Sequence, residues 1–527
     1  MAPTRSVKQL YNCPVGTNNH LPSRMQNTVY LQDVPPGKHS LPPTIPHAAH
    51  RHAAPSGPWP WFDLVDDDAP FPIVPPEHSK RKGTANPEND SRDQDWRRYP
   101  ELLYPNWTHY RLVRSGIAGV IDKPSDRRCV LYHIDVGSDG HFSQPGHHTV
   151  EHEKEEEFWK MMTERKRVDR NRVRLIFVEN ISGAVLQMLG TTYNIEPFFF
   201  SSSLNWIPSR YQENVIENDS DHITLILTFL RSMPNPVTAP NTPMLGGQFF
   251  SQIMSRPGQT TINTQAPLIL KSCDKILLLD LISLHMVRRK DGSTVISYHP
   301  TSEWKSTSAR YLHSRVRYAG ESVYWQSLFR QSQDPTLVML CMLWYPLYGW
   351  DESLETLYSH ISWLESRVLI ANDIHLTREL HIIRAYLLHY ASLLESFRKS
   401  VLFLRNTPNP AMKDQDDFQK SMDVMNRECD TLLSEIERLD MYRRMQEMRL
   451  DNVVNLAFAS VNFQDSRDMQ RLSEASLRDG TGLHESKERN DEIETTVLYR
   501  LQWPIRSLKR VTAKVRKKRR GVNEGVV

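Results

Sequence analysis

Residues 422–439 read MDVMNRECDTLLSEIERL and lie within a longer segment, 413–477, that contains neither proline nor glycine. Their apolar side chains recur at intervals of three and four residues, at Met422, Met425, Cys429, Leu432, Ile436 and Leu439. This spacing places them on one narrow stripe of an α-helix, which is typical of a helix that packs lengthwise along a partner. A helix over the whole segment would be a rod of roughly 100 Å. The sequence therefore predicts one very long helix at 413–478, with this stripe setting its packing along a stalk.

The region before the long helix, 321–412, is also predicted to be helical. Apolar residues at 377–404 repeat the spacing of four and three, and the sequence NTPNP at 406–410 then interrupts the chain. Two patterned helices joined by a proline-containing turn predict an antiparallel hairpin. The other helices expected in this region are 323–331, 336–344 and 351–372.

Residues 96–320 combine strands with helices. The predicted strands are 129–136, 173–178, 223–230, 267–271, 275–284 and 294–299, and a charged helix is expected at 151–165. Asp291-Gly292 is a strong signal for a two-residue hairpin turn. This order predicts an α/β sandwich with a mixed sheet. The predicted fold class is thus α+β: an N-terminal α/β sandwich, then a helical hairpin and one very long stalk helix.

The two ends of the chain differ from this central part in composition. Residues 1–95 are rich in Pro and His with little apolar periodicity, which predicts disorder. Residues 479–527 form a polar linker followed by a basic tail. Its cationic residues are Arg506, Lys509, Arg510, Lys514, Arg516, Lys517, Lys518, Arg519 and Arg520. The tail has three interpretations: a nuclear-import patch, a segment that binds acidic lipid, or the flank of a membrane anchor.

The composition excludes several classes of protein. A net charge of +3 gives no support to nucleic-acid binding. The five cysteines never form a C-x-x-C pair, which favours a reducing compartment over a disulfide framework. The longest uncharged apolar stretch, 335–350, is too short for a membrane span and contains Pro346. We therefore expect a cytoplasmic or membrane-peripheral chain.

A search for chemistry finds no catalytic motif, so we expect no enzyme activity. Two groups of histidines could be read as metal ligands, but one lies in a Pro-rich segment and the other has no evident scaffold, so we expect a metal site at neither. They are His47, His50 and His52, and His147, His148 and His152. An acidic run could attract divalent cations, although a solvated helix face is the simpler interpretation. It comprises Glu151, Glu153, Glu155, Glu156 and Glu157.

Four extended segments resemble the divergent fungal branch of the CorA-type magnesium transporter family. They are RLIFVENISGAVLQMLGTTYNIEPFFFSSSLNW (174–206), LYGWDESLETLYSHISWLE (347–365), LTRELHIIRAYLLHY (376–390) and MYRRMQEMRLDNVVNLAFASVNFQDSRDMQRLSEASLRD (441–479). The resemblance covers about residues 96–479. It implies a cytosolic α/β sandwich, a helical hairpin and a long helix that continues into the membrane as the first of two spans. It also implies five copies around a pore and Mg²⁺ as the transported or regulatory ion.

The sequence departs from the family after residue 479. GTGLHESKERNDEIETT stands where the first span is expected, and the tripeptide Gly-Met-Asn, which follows that span in the family, does not occur. We expect that the membrane pair is missing from an otherwise collinear chain, through a gene-prediction error, splicing or genuine loss. One hypothesis is a divalent-cation transporter-related protein keeping its sensor and stalk as a homo-oligomer. The alternative is a soluble helical-stalk scaffold or adaptor without transport activity. In either case Asn452, Asn455, Asn462 and Asp465 add polar groups to the rod, facing either a central axis or solvent.

Overall fold

The structure, a computed structural model, describes residues 95–122, 128–143, 146–164, 171–235, 262–300, 308–370, 374–414 and 417–479. Residues 1–94 of the predicted disordered region, with the histidines His47, His50 and His52, and the basic tail lie outside these residues. Among the described residues, no helix combines the length and the apolar character needed to cross a bilayer.

The predicted strands pair into one mixed sheet. In the described residues its strands are β1 (Cys129–Gly137), β2 (Gly146–Val150), β3 (Asn171–Glu179), β4 (Ser209–Ile216), β5 (Ser220–Pro234), β6 (Leu268–Leu270), β7 (Lys275–Arg289) and β8 (Ser293–His299). Their order is β2-β1-β3-β8-β7-β5-β4, with β6 also beside β7. Only β3 and β8 pair in parallel among these strands; the other pairs are antiparallel. The predicted turn between β7 and β8 has Lys290 and Asp291 as its central residues; the Gly292 N–H closes it by donating to the Arg289 carbonyl oxygen at 3.2 Å, and Gly292 has a φ of 124°.

The helices cover both faces of this sheet. Those described are α1 (His109–Ser115), α2 (Ala118–Ile121), α3 (Glu155–Glu164), α4 (Gly183–Tyr193), α5 (Phe198–Leu204), α6 (Ala309–Gly320), α7 (Val323–Gln331), α8 (Leu337–Ile370), α9 (Ile374–Arg405) and α10 (Phe418–Asp479). Serine N-caps begin three of them: Ser182, Ser308 and Ser322 each accept a hydrogen bond from a backbone N–H in the first turn.

Alternation along the central strands produces two hydrophobic cores. On β5, Ile226 faces the core shared with α4 and α5, whereas its neighbours Leu225 and Leu227 face the core shared with α6 to α10. Strands buried on both faces read as almost continuous apolar runs, which explains the sequence of β5 and β7. The α+β fold class is therefore confirmed, with the sheet as the middle layer of a sandwich.

Helices α8, α9 and α10 pack as a three-helix bundle, and ion pairs fix their directions. Arg405 pairs with Asp430 at 2.7 Å and Arg384 with Asp451 at 3.2 Å. Decreasing residue numbers in α9 therefore pair with increasing residue numbers in α10. The two helices are antiparallel and form the predicted hairpin. Asp351 and Glu365 of α8 pair with Arg438 and Arg449, so α8 runs parallel to α10.

The structure differs from the sequence expectations at several elements, among them helices α1, α2 and α6, which were not predicted. Helix α8 is continuous through Pro346, where two helices were expected. Burial of Leu343, Leu347 and Trp350 around the proline offsets the cost of about 3 kcal/mol for proline inside a helix. Strands β2 and β4 were not predicted. Both stand at the ends of the strand order, where a strand needs less apolar sequence because one edge is unpaired.

Candidate functional site

The stripe predicted on the long helix lies in the interior of this same chain. Met425, Cys429, Leu432, Ile436 and Leu439 are all buried in the core with α8 and α9, and Met422 is half-buried. Burial of this face continues to Leu450, Val454 and Ala457. We call residues 418–457 the proximal segment of α10. Its partner is the helical hairpin, and packing of the stripe between copies remains a prediction.

Beyond this point the helix is exposed. We call residues 458–479 the distal segment; its described side chains are exposed from Phe458 to Glu474, except half-buried Ser460. Large apolar side chains are among them, with Phe458 at 50%, Phe463 at 61% and Leu472 at 69% exposure. Such a series is unusual on a free surface, where exposed apolar residues are normally scattered.

The exposed apolar residues continue the buried face. Steps of four, four and three residues from Leu450 arrive at Val454, Phe458, Val461, Asp465, Met469 and Leu472. This pattern repeats every eleven residues, or about 3.67 per turn, so it stays on one face of a nearly straight helix. Asn452, Asn455, Asn462 and Asp465 are all exposed, and Asp465 stands within this face. We call this set of residues, from Phe458 to Leu472, the distal stripe.

A buried ion pair attaches the hairpin turn to the sheet. The Arg288 and Asp221 side chains are both 0% exposed, and Arg288 Nε donates to Asp221 Oδ1 at 2.6 Å. The same guanidinium donates to the carbonyl oxygens of Thr407 and Pro408, at 3.1 and 3.2 Å, in the turn that joins α9 to α10. The base of the long helix is therefore held at the sheet by a fully buried charge pair.

A second polar cluster lies on the opposite face of the sheet. Glu213 of β4 stands opposite His222 of β5 in the strand register. Thr224, two residues after His222 and on the same face, stands opposite His285 of β7. One ligand atom from each of Glu213, His222 and His285 lies within 4.8 Å of the others. Among the described residues, this is the only group of three such side chains that could hold a metal ion.

Aromatic and polar neighbours enclose this cluster. The rings of His222 and His285 are 5.3 Å apart at 81°, and Phe199 of α5 lies 5.0 Å from His285. His285 Nδ1 is hydrogen-bonded to Thr224 Oγ1 at 2.8 Å. In contrast, His285 Nε2 and His222 Nδ1 are buried without a hydrogen-bond partner. Two nitrogens thus remain to be satisfied in the interior.

Burial sets the charge state of the cluster. It lowers the pKa of His222 to about 4, helped by the nearby Arg289 cation, and burial with the neighbouring His222 lowers the pKa of His285 well below its ordinary value. Both imidazoles are therefore neutral at physiological pH. Burial raises the pKa of Glu213 to about 9, and the adjacent Glu196 carboxyl adds to this shift. Among the described residues, neither carboxyl oxygen of Glu213 has a hydrogen-bond partner.

The potential ligands considered at 147–157 do not converge on one point in the structure. His147 and His148 lie on β2, where the His148 ring stacks on that of His133 at 5.3 Å. His152 is instead exposed and bonded to Glu155 at 2.9 Å. In the acidic run, Glu151 pairs with Arg128, and Glu156 pairs with Arg97. These carboxylates are therefore matched with cations on a solvated surface.

Sequence reasoning did not single out Glu213, His222 or His285. A usable signal does exist, because each histidine interrupts an apolar strand: DHITLILTFL for His222 and DLISLHMV for His285. The pairing that brings them to the same face is a property of the sheet, not of either segment alone.

Comparison with known proteins gives structural neighbours only. No known family profile matches the sequence, and no curated protein matches it. Solved structures to which the chain is similar include the complete CorA magnesium transporter from Methanocaldococcus jannaschii, with 12% identity, 66% of this chain and 82% of that chain covered, and a TM-score of 0.40. The full-length CmaX protein is 11% identical, with 73% of this chain and 100% of that chain covered and a TM-score of 0.39. The cytoplasmic domain of ZntB from Vibrio parahaemolyticus RIMD 2210633 is 9% identical, with 63% of this chain and 98% of that chain covered and a TM-score of 0.33. Similarity at this level carries no argument about function, so the function has to be argued from the residues of this chain.

Proposed function

We propose that this chain is a CorA-like protein related to divalent-cation transport, in which copies assemble side by side through the distal segment of α10. One observation carries the proposal: the face of α10 that is buried within the chain up to Ala457 continues as the exposed distal stripe. A second copy of the same helix fits this stripe, since helices with one apolar pattern pack lengthwise on each other.

The order of domains supports the same function. A mixed-sheet sandwich is followed by a hairpin and a helix of 62 residues, and the four segments quoted above resemble the CorA-type family. By that resemblance the assembly is a pentamer, Mg²⁺ is the transported or regulatory ion, and the residues contribute assembly and regulation, not bond-breaking chemistry. The basic tail, outside the described residues, is proposed to contact acidic lipid.

The experiment is to measure the mass of the full chain by analytical ultracentrifugation, with and without millimolar magnesium. We expect an assembly whose population changes with magnesium. Val461→Glu, in the distal stripe, should dissociate it, because a charge would be buried between copies. Met448→Glu is the matched control, since Met448 is 63% exposed and lies off the stripe on the same helix. A wild-type chain that stays monomeric at all concentrations would contradict the proposal, as would an unaffected Val461→Glu variant.

A scaffold without transport activity is the second candidate. The distal stripe also suits an amphipathic helix of another protein. Flotation of membranes from cells that express the full chain separates the two functions. Recovery of the chain with the membranes supports the transport-related function. Recovery only in the unbound fraction favours the scaffold.

A further inference from the structure

We propose that Glu213, His222 and His285 form a binding site for one divalent cation of the zinc class, set into the sheet between β4, β5 and β7. This site is independent of the distal stripe and of the assembly proposed above. An ion bound there would stabilise the sandwich domain.

The sheet itself brings the ligands together. Antiparallel pairing places Glu213 directly across from His222, and the pair of Thr224 with His285 brings the second imidazole to the same face. The three ligand atoms lie within 4.8 Å of one another. Rotation of the side chains can shorten these distances around one ion. Two histidines and one carboxylate are a known ligand set for zinc sites that keep a fourth position open.

The hydrogen bond to Thr224 determines which ring nitrogen of His285 is available to the ion. If His285 Nδ1–H donates to Thr224 Oγ1 at 2.8 Å, then Nε2 carries the lone pair. That atom is fully buried and lacks a hydrogen-bond partner. An unpartnered nitrogen in the interior costs free energy, and a metal ion satisfies it. Metal-binding histidines are ordinarily oriented by such a bond through their other ring nitrogen.

The ligand chemistry selects the class of ion. Mg²⁺ requires oxygen ligands in octahedral geometry, whereas imidazole nitrogen suits Zn²⁺ and its transition-metal neighbours. The charged and titratable side chains around the three ligands are Glu196, Tyr99, Tyr104, Tyr211 and, beside His222, Arg289 and Asp221.

The edge of the sheet supplies an entrance. Strand β4 is the last in the strand order, and its register is irregular between Glu213 and Ile216. Asn214 there has a φ of 51°, and Asn214, Val215 and Ile216 are exposed. An ion therefore needs to pass only the irregular end of one edge strand to reach Glu213.

The test is a titration of the full chain, purified with chelator, with Zn²⁺ by calorimetry and with Co²⁺ by visible absorption. We expect one tight equivalent of Zn²⁺, a Co²⁺ spectrum typical of low coordination number with nitrogen ligands, and no competition by millimolar Mg²⁺. His285→Gln and Glu213→Gln should each weaken Zn²⁺ binding by about 100-fold or more, since loss of a ligand exceeds the 10- to 100-fold loss for an outer partner.

His360→Gln is the matched control. His360 is also buried, but both of its ring nitrogens have partners, Ser272 at 2.9 Å and Glu379 at 3.2 Å, so this variant should bind Zn²⁺ normally. Circular dichroism checks that each variant folds. If His285→Gln unfolds, Glu213→Gln still tests the site, because Glu213 is only half-buried and its replacement disturbs the core less. A chain in which His47, His50 and His52 are all replaced by Gln should retain the tight site. The proposal is overturned if the wild-type chain binds no Zn²⁺ tightly, or if binding survives unchanged in folded Glu213→Gln.

Discussion

The proximal and distal segments of α10 have the same helical conformation and share one mainly apolar face, interrupted by Arg443, Gln446 and Asp465, yet their environments are opposite. Up to Ala457 that face is buried by α8 and α9; from Phe458 onward its residues are exposed. The spacing between stripe residues also changes. Intervals of three and four residues alternate up to Leu439, whereas after Leu450 the intervals are four, four and three residues. A periodic stripe therefore indicates that a helix has a partner, but it does not identify the partner. In the proximal segment the partner is the chain itself.

The largest effect is expected where the proximal segment is attached to the sheet. Arg288→Ala should destabilise the protein by about 3–5 kcal/mol, because it leaves the Asp221 carboxylate buried without its counter-charge. Urea unfolding followed by circular dichroism measures the loss. Lys290→Ala is the control, since its ion pair with Asp414 at 3.4 Å is exposed and should contribute little. Equal effects of the two variants would show that the turn is not held by the buried pair.

The next largest effect concerns the buried stripe. Leu432→Ala should reduce the free energy of unfolding by about 2–5 kcal/mol, through lost apolar burial and the cavity left behind. The measurement is the same urea titration, with the exposed neighbour Thr431→Ala as control. A loss of under about 0.5 kcal/mol would contradict packing of the stripe within the chain.

Acid should weaken the sheet that supports the proximal segment. The pKa of His222 is lowered to about 4 in the folded chain, mainly by burial, and is near 6.5 when unfolded. The unfolded state therefore takes up the proton first, and stability is lost as the pH falls from about 6.5 towards 4, by about 1–3 kcal/mol. Thermal unfolding of chelator-treated protein at several pH values measures this. In His222→Gln the dependence should become shallower, and an identical profile in the variant would assign the acid effect to other groups.

The smallest effect is expected in the distal segment. Leu472→Ala should change the stability of the monomer by no more than about 0.5 kcal/mol, because Leu472 is already 69% exposed. Unfolding at a protein concentration too low for assembly provides the measurement. If this variant costs as much as Leu432→Ala under those conditions, the distal segment must be packed within the chain and the contrast between the segments disappears.

The sequence predicted the main elements because they are governed by local periodicity. The long helix, the hairpin and the central strands follow from spacing and from turn residues such as Asp291-Gly292. Pro346 and the edge strand β4 were misjudged for opposite reasons. Tertiary burial maintains a helix through a proline, and an edge position maintains a strand that has a polar sequence.

The polar cluster was not predictable in this way. Glu213, His222 and His285 are 72 residues apart from first to last in the sequence, and their approach depends on which strands are neighbours and in what register. A one-residue shift of β4 would turn Glu213 to the other face. The histidines at 147–152 are close in sequence, but neighbouring strand residues point to opposite faces, so closeness along the chain does not make a site.

Arg288 donates hydrogen bonds to the carbonyl oxygens of Thr407 and Pro408 and so anchors the base of α10 at the sheet. A helix of 62 residues is about 93 Å long. Pivoting it by about 5° at that point would move its far end by about 8 Å, which exceeds one helical turn. Because α10 packs along α8 and α9 up to Ala457, such a tilt would carry the whole three-helix bundle with it, and a small change in packing against the sheet would be amplified at the far end.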